Sequence, residues 1–194
     1  GRLRALVQRG QVEMISGAYY EPILIMLDDA DKTGQTRMLN AALSDDFDTR
    51  PSGMWLAERV WEPALAKPIA ETGLRYALVD DTHFHYAGFN DSDLYGYYIT
   101  EEQSHPLKLL PISRQMRYMT PYRPVDDIIA ALRSIYDDPN APAHPLVVNA
   151  DDGEKFGLWP GTYRLCWEEG WMEDFFSRLE AEADWLTTTT PGTY

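Results

Sequence analysis

Two short segments of this 194-residue chain carry acids in company that could do chemistry. Trp55-Leu56-Ala57-Glu58-Arg59-Val60-Trp61-Glu62-Pro63 follows a strand-like start at Met54, and Ala150-Asp151-Asp152-Gly153-Glu154-Lys155-Phe156-Gly157-Leu158-Trp159-Pro160 follows the apolar run Leu146 to Asn149. Each sets carboxylates among indole rings just past a strand. Two carboxyl groups facing one cleft are what glycoside hydrolysis requires, one as nucleophile or base and one as proton donor. Indole faces offer flat apolar surfaces to sugar C–H groups. The same residue types have plainer uses. A carboxylate after a strand often caps the next helix, the reading that fits Glu62-Pro63, and a tryptophan near a strand end is commonly core.

Other chemistry-bearing residues are less telling. Asp80, Asp81 and His83 end a third strand, at the rim where such acids would gather. On an extended chain His83 and His85, two apart, share a face, a spacing a metal could use. No third ligand motif accompanies them, and even an open catalytic metal site has three protein ligands, so no metal and no cofactor are expected. His83 reads better as a sugar-binding or acid-positioning residue. Asp29-Ala30-Asp31-Lys32-Thr33-Gly34 begins like a calcium loop, but Asn40 stands where the bidentate Glu belongs, which favours a helix N-cap. Asn90-Asp91-Ser92 is a bare glycosylation sequon. No nucleophile elbow, Walker loop or dinucleotide fingerprint occurs. The single Cys166 has no evident His partner and is expected to be buried.

The elements that position these residues alternate. Arg2 to Arg9 reads as a helix stopped by Gly10. Val12 to Ser16 reads as a strand, with Glu13 sharing a face with Ile15, and Val12 and Met14 on the other, so the direction of Glu13 stays open. A helix from about Asp31 to Leu43, a strand near Met54 to Ala57, a helix from Pro63 to Thr72 stopped by Gly73, and a strand over Tyr76 to Val79 follow. Leu94 to Ser113 suggests a hairpin excursion. Pro124 opens a helix to about Tyr136, Pro145 to Asn149 reads as a strand, and Trp171 to Ala183 as a helix. Strands alternating with helices argue for an α/β fold around a parallel sheet, whose ligands sit at the carboxyl ends of the strands.

Composition narrows the partners. With 31 acidic and 17 basic side chains the net charge is −14, which repels phosphate backbones, and no basic run offsets it, so neither nucleic acid nor anionic membrane is expected as a partner. No apolar run reaches the roughly 18–20 residues of a membrane span. One cysteine forbids an internal disulfide and fits a reducing, cytoplasmic compartment. The chain starts without Met, inside a helix, and ends in a Thr-rich stretch, so it is expected to be an internal piece of a longer protein.

Taken together, WLAERVWEP (55–63) and DDGEKFGLWP (151–160) resemble two signature regions of glycoside hydrolase family 57. Gly10 to Ile23 (GQVEMISGAYYEPI) looks like another of its regions, and Tyr76 to Tyr86 with Gly96 to Ser113 is similar to its 4-α-glucanotransferase branch. The resemblance covers nearly the whole chain, with Ala18 where a second glycine is common. It implies a fragment, residues 1–194, of one catalytic domain: part of an incomplete (β/α)₇ TIM-like barrel, with a hairpin excursion near 94–113 and its first and last parts outside the chain. It implies a retaining mechanism on α-1,4-glucans or maltooligosaccharides, with Glu58 as nucleophile and Asp152 as acid/base, about 5–5.5 Å apart. Trp55 and Trp159 would stack on glucose rings, and Glu154, His83 and Asp81 would contact sugar hydroxyls. Arg59 and Lys155, close in sequence, would keep Glu58 ionised, while burial and repulsion by Glu58, with Asp151 and Glu154 adding to them, would favour the protonated form of Asp152. A 4-α-glucanotransferase is expected first, a hydrolytic α-amylase second, and a non-catalytic glucan-binding module third. A homo-oligomer stays open.

Overall fold

The computed structural model describes residues 1–194, which divide into two compact units. The first comprises residues 1–83, 97–111 and 189–194. It opens on helix α1 (Arg2–Gln8), which stops as expected: Gly10 takes φ +72° and its N–H reaches the Val7 carbonyl, while the Gln11 N–H reaches Leu6. Helix α2 (Asp29–Phe47) starts where the Asp28 carboxylate accepts the Asp31 N–H at 2.9 Å, and it ends on Asp48 in the left-handed region at φ +53°. Its cap is therefore Asp28, one residue ahead of the calcium-like run.

Strand β1 (Gly53–Trp55) pairs in parallel with β2 (Tyr76–Asp80), Met54 opposite Ala77. Between them lie a 3₁₀ turn at Pro63–Leu65 and helix α3 (Ala66–Ala70), which buries Ala66, Pro68 and Ile69 before Gly73 at φ +87° ends the crossover. Gly53 is obligatory. A Cβ there would stand 1.9 Å from the Tyr76 ring that lies across it. The hairpin is present as strands β3 (Tyr98–Glu102) and β4 (His105–Ile112), antiparallel, with Gln103 and Ser104 both at positive φ as a type I′ turn demands. The sheet order is β1-β2-β4-β3, a mixed sheet. Met54, Leu56, Leu65, Ile69, Val79 and Leu107 are among the fully buried side chains of this unit.

The second unit comprises residues 84–96 and 112–188. Helix α4 (Asp81–Tyr86) runs into it across the boundary. Ser113 caps α5 (Arg114–Met119) by accepting the Met116 N–H, α6 (Val125–Tyr136) follows Pro124, and α7 (Trp171–Ala181) follows a π-helical turn at Arg164–Glu168. Met116, Val125, Ile128, Ile129 and Trp171 form the core. The Trp171 indole donates to the Arg123 carbonyl at 2.8 Å and stacks on Phe175.

Four elements differ from the sequence reading. Val12 to Ser16 and Pro145 to Asn149 contribute one bridge each, Ser16 to Met54 and Val148 to Ile112, both parallel. They run where strands were expected, yet their flanking residues lack ladder partners. The short helices α4 and α5 have no counterpart in the sequence reading, because six residues carry too few turns for a 3.6-residue periodicity to register. The helix at α4 also undoes the His83 and His85 pairing. Residues two apart on a helix lie on nearly opposite sides, so the shared face that an extended chain would give them is lost. No helix is long and apolar enough to cross a membrane.

Candidate active site

In the first unit the acids collect at the carboxyl end of the parallel strands. β1 ends at Trp55, Leu56 is buried, and the chain then turns through Ala57–Arg59. Glu58 sits at φ +53°, ψ +13° and Arg59 at φ +56°, two successive non-glycine residues in left-handed conformation. Such residues cost of order 1–3 kcal/mol each and persist where their surroundings over-determine them. Here the Arg59 N–H bonds the Leu56 carbonyl at 2.9 Å, and Leu56 and Trp61 are buried on either side. The turn leaves the Glu58 side chain exposed.

Arg59 extends across the rim to the neighbouring strand. Its Nε lies 4.0 Å from Asp80 Oδ2, and its guanidinium 5.9 Å from the centre of the Trp55 ring. Asp80 closes β2 and accepts both the backbone N–H and the hydroxyl of Thr82. Asp81 is buried at the start of α4, and His83 is half-buried two residues on. Trp55, Glu58, Asp80, Asp81 and His83 therefore share one end of one sheet. His85 turns elsewhere, its Nδ1 3.0 Å from the Phe89 carbonyl and its Nε2 3.3 Å from Asp91.

Glu13, whose direction the sequence left open, belongs to the opposite end. Its Oε1 accepts the Ser52 hydroxyl and the Tyr76 hydroxyl, each at 2.8 Å, and its Oε2 accepts the Gly192 N–H at 2.7 Å. Ser52 precedes β1 and Tyr76 opens β2, so these bonds fasten the amino ends of the strands. Burial and the bond to Glu13 push the Tyr76 phenol up, keeping it a donor.

In the second unit the acidic motif leaves Val148 as a loop with an internal anchor. Asp151 is 4% exposed at its side chain. Its Oδ2 lies 2.5 Å from Lys155 Nζ, its Oδ1 lies 3.4 Å from an Arg117 terminal nitrogen, and Oδ1 also accepts the Asp152 N–H at 3.0 Å. Lys155 further donates to the Arg117 carbonyl and stands 5.4 Å from the Tyr122 ring centre. Burial alone would raise the Asp151 carboxyl. The Lys155 ammonium, the Asp152 N–H and the Arg117 charge outweigh it and hold the carboxyl below the usual carboxylate range.

Asp151 is thus a charged anchor, and Lys155 is engaged by it. Asp152, the next residue, is half-buried at the entry of the 3₁₀ turn Gly153–Phe156. The Glu154 carboxylate is exposed, while its carbonyl accepts the N–H groups of Gly157, Leu158 and Trp159. Trp159 is partly open to solvent at 39%. Arg117 is the contributor sequence reasoning missed. It lies on the unforeseen helix α5, 34 residues before its partner, and nothing local to it signals an ion pair. Cys166 is buried as expected, and burial pushes its thiol up. Glu58 belongs to the first unit and Asp152 to the second.

Comparison with known proteins places these motifs in a wider set. The sequence model described as glycosyl hydrolase family 57 matches residues 1–194. The chain is 44% identical over 193 residues, all of its own length, to alpha-amylase 1 of Dictyoglomus thermophilum, and covers 28% of that protein. The crystal structure of the 4-alpha-glucanotransferase from Thermococcus litoralis superposes with a TM-score of 0.91 at 38% identity, over 99% of this chain and 29% of that one. The alpha-amylase of Thermotoga maritima shares the fold at a TM-score of 0.75 and 16% identity, over 98% of this chain and 50% of that one. The chain therefore spans between a quarter and a third of the length of the curated relatives it matches. With a family match along every one of its residues, this chain belongs to glycosyl hydrolase family 57.

Proposed function

We propose that this chain forms the catalytic core of a 4-α-glucanotransferase that acts on α-1,4-glucans with retention, within an incomplete (β/α)₇ barrel. The Glu58 carboxylate attacks the anomeric carbon. The glycosidic bond breaks, its oxygen takes the proton of Asp152, and a glycosyl ester forms on Glu58. Asp152, now a carboxylate, removes the proton from the acceptor hydroxyl, whose oxygen attacks the same carbon and frees Glu58. A sugar 4-hydroxyl as acceptor gives transfer; water gives hydrolysis.

The observation that carries this reading is the strained turn at Glu58. A non-glycine residue in left-handed conformation, followed by a second, presents a carboxylate at the rim where α/β folds bind ligands. The Asp151 anchor supports it further, because a buried ion pair beside Asp152 fixes the loop without supplying a free charge. Trp55 and Trp159 would stack on glucose rings, and Glu154, Asp81 and His83 would bond sugar hydroxyls. The alternative, hydrolytic α-amylase, is favoured by one specific observation: a 44% identical relative carries that name.

Two experiments on the intact protein test the proposal. A fluorinated α-glucosyl donor should label Glu58, found by peptide mapping, and Glu58→Gln should lower kcat on the order of 10⁴-fold or more. A label on another residue would overturn the assignment. Incubation with maltotriose should give oligosaccharides longer than the substrate; glucose and maltose alone would select the amylase.

A further inference from the structure

Six residues other than glycine adopt positive φ in this chain: Glu21, Asp48, Glu58, Arg59, Gln103 and Ser104. Three have ordinary causes. Asp48 ends helix α2, and Gln103 with Ser104 makes the hairpin turn. The other three, Glu58, Arg59 and Glu21, lie on two loops that leave the same edge of the first unit. The bridge from Ser16 to Met54 is parallel, so the chain beyond Ser16 emerges at the carboxyl end of the sheet, as the chain beyond Trp55 does. Gly17 runs so close to the Trp55 carbonyl that a Cβ would approach it to 3.3 Å.

That second loop is held rigidly while its side chains stay open. The Tyr19 and Tyr20 N–H groups donate to the carbonyl and side-chain oxygens of Gln35, and the Glu21 N–H donates to Ala18. Tyr19 props Tyr20 edge to face at 5.0 Å between ring centres. Tyr20 is nevertheless 72% exposed, and the Glu21 side chain is exposed beside it. A pinned aromatic face next to a carboxylate suits one ligand chemistry well. The ring covers the C–H face of a pyranose at small entropic cost, and the carboxylate accepts charge-assisted hydrogen bonds from neighbouring hydroxyls.

We propose that Tyr20 and Glu21 form a sugar-binding subsite on the rim that carries Glu58, and that they determine which lengths of α-1,4-glucan are held. The substrate class rests on the function proposed above; the subsite itself rests on the loop. Its test is binding, and should the label fall on a residue other than Glu58, that residue is neutralised in place of Glu58 to stop turnover, so the two readings fail separately. Calorimetry measures the affinity for maltoheptaose of the intact protein carrying Glu58→Gln, to stop turnover, and of the same protein with Tyr20→Ala, Tyr20→Phe, Glu21→Gln or Glu21→Gly added. Tyr20→Ala and both Glu21 changes should each weaken binding by about tenfold or less, and Tyr20→Phe should keep it, since the ring face remains. Glu21→Gly relaxes the backbone while removing the carboxylate, so weak binding with an unchanged or raised melting temperature separates a lost contact from a lost fold. Equal affinity in all five proteins, or no binding of maltoheptaose by any, would overturn the subsite. Failure of the labelling experiment with these differences intact would overturn the nucleophile alone.

Discussion

Glu58 and Asp151 show two ways a carboxylate is kept in place, and they lead to opposite mutational outcomes. Glu58 is exposed and its backbone is strained, so Glu58→Gly removes no packing and releases a left-handed conformation worth about 1–2 kcal/mol. The variant should melt a few degrees higher by calorimetry while losing activity, the pattern of a site that trades stability for function. Asp151 is buried against Lys155 and Arg117. Asp151→Asn leaves two cations uncompensated and should cost about 3–5 kcal/mol in denaturant unfolding. Because the Asp151 carboxyl is depressed in the folded state, its contribution is fully present above the unfolded carboxylate value of about 3.9 and is lost as pH falls through the lower folded value. Stability curves of the parent should therefore drop below about pH 4 more steeply than those of Asp151→Asn. Parallel curves would mean that the pair is not a charged one.

The elements bear out a simple division between what local pattern encodes and what it cannot. Helices with a sharp start or stop were legible: Gly10 and Gly73 end theirs, and Pro124 opens α6. β2 was legible from the short apolar run Tyr76 to Val79, which the structure buries, and the hairpin from its paired apolar runs. The two segments that shrink to single bridges, at Ser16 and Val148, have strand-like composition but lack the neighbours that would complete a ladder, and ladder partners are not a local property. The same limit governs the site. The motif acids are visible as words, whereas Arg117 and the bonds that Glu13 accepts depend on residues tens of positions away. Packing offers a test at this scale. Gly53→Ala would drive a methyl group into the Tyr76 ring and should destabilise by about 1–3 kcal/mol or more, read as a lower denaturation midpoint. A neutral result would require Tyr76 to leave the position from which it donates to Glu13.

Charge is the property of the whole molecule that most constrains its behaviour. At −14 the folded chain repels itself, and its acids outnumber its bases along most of the sequence. Moderate salt shortens the screening length to about 8 Å at 0.15 M, so the melting temperature should rise by a few degrees between 10 mM and 0.3 M sodium chloride. A fall would mean that attractive pairs, such as Arg178 with Asp126 and Glu182, outweigh the general repulsion. A neutral polyhydroxyl ligand is indifferent to this field, which is consistent with the glucan binding proposed above.

The contact between Glu13 and Gly192 joins positions 179 residues apart. A Cβ at Gly192 would stand 2.3 Å from the carboxylate oxygen, so a larger residue there would push the Glu13 side chain aside. The Ser52 hydroxyl, the Tyr76 hydroxyl and the Gly192 N–H thus meet on one carboxylate from three distant stretches of sequence. Loss of the turn that carries Gly192 would therefore loosen the feet of β1 and β2, although it touches neither strand in sequence.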